Sequence, residues 1–254
     1  MTAQPVVTES RSRAIQIAFF ALALAAWWLA TATHSISPLF LPGPLAIAQQ
    51  IGRIAHAPTL AVDIFYTLGT FAVAYTLAVL AGLAAGYAIS TRRFLTRVYE
   101  PLLASLYAIP IVVFFPTFIL FFGTGPNSKI ALGALYAFFP IALNTIAGFA
   151  GIDRLFLRAA HSQGATQLQM LRYIYLPGAW PVVISGLRIG FFITFASVLG
   201  GETLSSTAGM GHAIAHEADL LDGPPMYAYI VIVLAVTMVL NAALAQVEKR
   251  AGRS

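Results

Sequence analysis

The chain runs in long apolar stretches separated by short polar breaks, and the stretches show no two-residue alternation. Six stand out, at 14–33, 65–89, 102–122, 130–152, 181–201 and 225–247. Runs of about 20 apolar residues are long enough to cross a ~30 Å hydrocarbon core as helices. Backbone groups in lipid need internal partners, so apolar runs without strand periodicity predict helices and not barrel strands. The pattern therefore predicts an all-α membrane protein with six transmembrane helices. One membrane domain fills 14–247, between a cytoplasmic tail at 1–13 and another at 248–254. The first run, about 19 residues with Trp27-Trp28 near its far end, reads as a retained, interface-anchored span, although Ala30-Thr31-Ala32 could pass for a cleavage site.

Composition supports this class. Hydrophobic residues make up 59% of the chain and charged residues 9%, where a soluble domain is about a quarter charged. With the N-terminus placed inside, 12 of the 14 Lys and Arg fall on the inner side. Only Arg53 and Lys129 fall outside, and the segment from Glu202 to Asp222 carries acids but no Lys or Arg. That bias predicts cytoplasmic termini and attributes the net charge of +5 to topology, not to nucleic-acid binding. Cysteine is absent, which excludes disulfides, thiolate nucleophiles and Cys-ligated metals.

Several breaks in the apolar pattern are candidate functional features. Ala78, Gly82 and Gly86 form a small-residue stripe, suited either to internal helix packing or to a dimer seam. Pro110 and Pro116 remove backbone donors and should bend the third span. Asn144 in the fourth span must face other helices or water. Arg188, the charge within the fifth, either snorkels to the inner surface or lines the inner end of a polar route. Pro110, Pro116, Asn144 and Arg188 are the pathway-lining candidates. Outside, a short amphipathic run at 45–54 follows Leu41-Pro42-Gly43-Pro44 and is too short to cross. His212 and His216 have helical i, i+4 spacing, but no third ligand is evident and no metal site is assigned. The acids from Glu202 to Asp222 read either as solvated loop residues or as contacts for a soluble partner.

The polar loop at 153–180 carries the strongest functional signal. Ala159, Ala160 and Gly164 present little side chain, and Gly164 can end a short helix in a left-handed cap. A second helix from Thr166, its cap, to Tyr175 should be stopped by Pro177 before the fifth span. The two would form an elbow on which another protein could dock.

The spacing Ala159-Ala160, Gly164, Ile174, Leu176-Pro177 resembles the cytoplasmic coupling motif of permease subunits of binding-protein-dependent ABC importers. Arg158 stands where that motif has Glu, so either the partner's charge is exchanged or Asp153 serves nearby. Leu41-Pro42-Gly43-Pro44, Leu176-Pro177-Gly178-Ala179-Trp180-Pro181, Ser185-Gly186-Leu187-Arg188 and Gly209-Met210-Gly211 resemble the nitrate, sulfonate, taurine and bicarbonate branch. The resemblance implies a type I ABC importer permease fold in the bacterial cytoplasmic membrane. It implies a second permease copy, a pair of ATPase subunits and an extracytoplasmic substrate-binding protein as partners. Arg158, Ala159, Ala160, Gly164, Ile174, Leu176 and Pro177 would couple to the ATPase.

The chain is not expected to be an enzyme and binds no cofactor of its own; ATP and Mg would be used by the partner ATPase. Gly123-Thr124-Gly125-Pro126-Asn127-Ser128-Lys129-Ile130 lacks the glycine before Lys and the Ser or Thr after it that a phosphate loop needs. The expected solute is a small organic or inorganic anion such as a sulfonate, nitrate or carboxylate. The alternative from another class, a secondary active transporter, would usually place ionisable residues in mid-span, and only Arg188 qualifies.

Overall fold

A computed structural model describes residues 9–33, 36–37 and 40–251. Its helices are α1 (Glu9–Ala32), α2 (Pro44–Ala55), α3 (Pro58–Ser90), α4 (Arg93–Tyr107), α5 (Phe115–Phe122) and α6 (Pro126–Ala150). There follow α7 (Arg154–Ser162), α8 (Gln167–Met170), α9 (Leu176–Leu204), α10 (Met210–Asp219) and α11 (Gly223–Ala251). Among the described residues, five helical stretches are long and apolar enough to cross a membrane; the bent α4–α5 pair makes a sixth if it counts as one span.

That pair stands where the bent third span was expected, at 102–122. Arg93–Tyr107 and Val112–Phe122 meet at 67°. Pro110 has no N–H to donate and biases Ile109 away from helical geometry, and the chain tightens into a 3₁₀ turn over Ile111–Phe114. Pro116 sits in the first turn of α5, where a missing donor costs nothing. The sequence thus located the bend, but one proline breaks the helix and the other starts the next.

The chain packs as two units. The smaller holds the described residues up to Ala57 with Ile214–Val233. Within it α2 takes Pro44 into its first turn and buries Ile47 and Ile54. Trp27 Nε1 donates to the Pro42 carbonyl at 3.2 Å, and Tyr227 Oη to that of Phe40 at 2.9 Å. The α10–α11 turn passes through Leu221 in left-handed geometry, with φ at 57°.

The larger unit holds Pro58–Ala213 with the described residues from Leu234 onward. Its centre is α6, packed between α3 and α9. Glycines let these backbones approach. A Cβ on Gly82 or Gly86 of α3 would come 2.7 Å from Ile141 or 2.5 Å from Thr145 on α6. The small-residue stripe of α3 is therefore an internal packing face. From α9, Gly190 meets Ile141 in the same way. Phe71, Tyr75, Phe191 and Phe195 form an aromatic cluster between α3 and α9, with edge-on contacts at 4.9 to 5.6 Å. Leu103 and Phe115 bring α4 and α5 onto Leu132, Phe139 and Ile146 of α6.

Candidate functional site

The loop after α6 folds by local rules. Asp153 caps α7, its Oδ1 accepting from Leu155 N at 2.9 Å. The helix ends where Gly164 turns left-handed, with φ at 73°. Ala165 N reaches back to the Ala160 carbonyl and Gly164 N to that of His161, each at 3.0 Å, the paired closure of a Schellman motif. Two residues later Thr166 starts α8 with a capping box: Gln169 N donates to Thr166 Oγ1, and Thr166 N to Gln169 Oε1.

The stop expected at Pro177 does not occur. From Gln167 the chain continues through a π-helical turn at Leu171–Tyr175 directly into α9, so no break separates the loop from the fifth span. Pro177 occupies the first turn of α9. The i→i+5 spacing of the preceding turn resets the ladder, so the missing N–H at 177 interrupts nothing essential. Pro181 is carried inside the helix.

This fold gathers part of the motif. Ala159, Ala160, Ile174 and Pro177 line a groove of about 390 Å³, together with Phe156 and Tyr173. Phe156 and Tyr173 are exposed large apolar side chains of its lining. Gly164 and Leu176 lie outside the groove lining: the first sets the turn between α7 and α8, and the second opens α9. Arg158 is exposed on α7, while Asp153, the other charge considered there, is committed to capping.

The pathway candidates do not converge on one surface. Pro110 and Pro116 belong to the α4–α5 break. Asn144 lies against Gly186, and its amide donates to the Pro140 carbonyl at 2.8 Å. Arg188 is half exposed and pairs with Glu248 of α11 at 3.6 Å, while Tyr75 Oη donates to the neighbouring Leu187 carbonyl at 3.1 Å. Glu248 lay in the expected polar tail and drew no attention in the sequence.

At the other end of α6 and α9 the structure buries Lys129, which the charge pattern placed outside, and Glu202, which was read as a loop acid, solvated or in contact with a partner. Lys129 is fully buried and donates to the carbonyls of Thr124 and Gly125, the latter at 3.0 Å. Its ammonium group is spent on the loop that resembled a phosphate-binding turn. Glu202 is also buried, in the last turn of α9 and not in a loop. Only the Gly209-Met210-Gly211 pattern hinted at a tight site there.

Residues 76–253 match the family described as binding-protein-dependent transport system inner membrane component. The taurine transport system permease protein TauC of Escherichia coli (strain K12) is 29% identical over 246 residues, covering 95% of this chain and 90% of that protein. The riboflavin transport system permease protein RibX of Chloroflexus aurantiacus is 32% identical over 218 residues, covering 85% and 81%. A chain of the MetNI methionine ABC transporter, solved in inward-facing conformations, superposes with a TM-score of 0.65 at 19% identity, covering 76% of this chain and 95% of that one. The fold is thus that of an ABC importer membrane subunit.

Proposed function

The chain belongs to the binding-protein-dependent transport system inner membrane component family, and from that premise we propose that two copies of it form the pathway of an ATP-driven importer. It is a transport permease subunit; ATP hydrolysis is assigned to a separate ATPase pair, and delivery of the solute to an extracytoplasmic binding protein. The observation that carries the reading is the groove beside α7, where Ala159, Ala160, Ile174 and Pro177 meet among exposed apolar side chains. Small residues let a partner's backbone approach, and an apolar rim on a short, doubly capped helix suits a docked neighbour better than water. The distribution of Lys and Arg supports placing both chain termini on the side on which that ATPase docks.

The solute is a small anion such as a sulfonate, nitrate or carboxylate. The taurine permease among the relatives supports this reading, as does the scarcity of acids in the apolar runs. Purification in mild detergent from native membranes, with mass spectrometry of co-eluting proteins, tests the assembly. A stoichiometric ATPase and a single kind of permease support it; elution of the chain alone defeats it. Uptake of labelled taurine, compared with labelled riboflavin, tests the solute class, and uptake of riboflavin alone would reject the anion.

A further inference from the structure

Beyond the groove beside α7, a buried polar site lies where the chain leaves α9 and starts α10. Glu202 is 1% exposed, and its Oε2 accepts from Thr67 Oγ1 of α3 at 2.9 Å and from Gly211 N at 3.0 Å. Thr67 Oγ1 in turn accepts from Met210 N at 2.9 Å, and Asp63 Oδ1 accepts from Gly209 N at 2.9 Å. Three successive backbone N–H groups, at 209 to 211, are thus received by three side chains from two spans. They are among the donors at the start of α10 that the helix itself cannot satisfy. A carboxylate there also opposes the positive end of the helix dipole.

Shape closes the junction as firmly as hydrogen bonding. Gly209 is left-handed, with φ at 108°, and a Cβ on it would stand 2.5 Å from Glu202 Cδ. On Gly211 it would stand 2.4 Å from the Leu199 carbonyl, and on Gly201 2.9 Å from Lys129 Cγ. No larger residue fits at these three positions without displacing its neighbours. Pulling the segment away would leave the buried Glu202 carboxyl group without its donors, which a low-dielectric site penalises.

We infer that Glu202, Thr67 and Asp63 are positioning residues of the transporter: they clamp 209–211 onto the ends of α3 and α9, so that this segment travels with those spans as one body throughout the transport cycle. The junction is a fixed joint and not a gate. The one-body motion rests on the ATP-driven reading above; the clamp itself does not.

The chain has no cysteine, so Ala213→Cys, at a buried position in the first turns of α10, supplies a single reporter thiol. The rate of its modification by N-ethylmaleimide is measured in the full chain in membranes. Adding Glu202→Leu or Thr67→Val should raise the rate about tenfold or more, the effect of stranding buried donors. Thr67→Ser keeps both hydroxyl roles and Glu202→Gln keeps an acceptor oxygen, so each should stay within about threefold of the reporter alone. Unchanged labelling in Glu202→Leu and Thr67→Val overturns the clamp, as does release by Thr67→Ser equal to that by Thr67→Val. Where Glu202→Leu fails to accumulate, the two Thr67 variants decide. In the complex with its ATPase, trapping with ATP and orthovanadate should leave the reporter's rate within about threefold; a tenfold rise shows that the joint opens and overturns one-body motion. If no ATPase accompanies the chain, the ATP-driven reading falls and the one-body motion with it, while the four variants still decide the clamp.

Discussion

Gly186 on α9 faces Asn144 on α6 so closely that a Cβ on the glycine would stand 2.5 Å from the asparagine's Cβ. The two residues account for each other. The missing side chain lets the helices close, and the amide turns back along its own helix to the Pro140 carbonyl at 2.8 Å. A polar residue in a span is thereby satisfied inside a helix contact.

Gly186→Val should force α6 and α9 apart and destabilise the protein by about 1–3 kcal/mol, the usual penalty of overpacking. Gly200, on the same helix, has open space around its Cβ position. Gly200→Ala should instead be neutral or stabilising by up to about 1 kcal/mol. Thermal unfolding in detergent, comparing both with the unaltered chain, checks the contrast. Equal midpoints for the two variants would reject the packing argument.

Leu221 holds a left-handed conformation at the end of α10 while its side chain is 69% exposed. Its neighbours close the helix, Asp222 N donating to the Glu217 carbonyl at 3.0 Å, so the position is one that glycine normally fills. Leu221→Gly should therefore stabilise by about 1 kcal/mol, because a left-handed L-residue costs about 1–2 kcal/mol and little burial is lost. A lowered unfolding midpoint in the variant would contradict this.

Arg188 and Glu248 join the C-terminal part of α11 to α9 through one contact of 3.6 Å, with side chains 49% and 20% exposed. A single long pair with a half-exposed partner should contribute below about 1 kcal/mol. The coupling energy from a double-mutant cycle of Arg188→Gln and Glu248→Gln, by denaturant unfolding, measures it. A coupling of several kcal/mol would mean that the pair is far better shielded than its exposure indicates.

Gly164 has nothing within 4 Å of its Cβ position and is held left-handed. Asp tolerates that conformation better than most residues, so Gly164→Asp should leave the chain inserted and its own fold intact. Gly164 turns the chain next to Gln163 of the groove lining, so an ATPase seated on α7 would cover it, and co-elution of the ATPase should be lost because an unpaired charge under the partner is costly to bury. Retention of the ATPase at full stoichiometry would remove Gly164 from the docking surface.

What the sequence revealed and concealed divides by the range of the interactions. The caps at Asp153, Gly164 and Thr166 involve partners a few residues away. Of these, Gly164 and Thr166 could be placed from residue type alone. The proline-centred bend before α5 was likewise located, although not its 67° sharpness. Pro177 was misplaced because a π-helical turn upstream changes what a proline costs, and no local signal announces that turn. In the loop at 153–180, the spacing of Ala159, Ala160, Ile174 and Pro177 was legible in the sequence, but the groove they line forms only when α7 folds back beside the start of α9.

Hydrophobicity accumulated over about 20 residues suffices to select membrane-spanning helices, so the class of this protein was settled by composition and pattern alone. The fates of Glu202, Lys129 and the α3 glycines were settled only by tertiary structure. Glu202 finds its hydroxyl partner 135 residues away, and the small face of α3 finds α6 across the bend. Whether a charge or a glycine faces solvent, lipid or another helix depends on such distant partners, because burial is a property of the assembled neighbours and not of the residue.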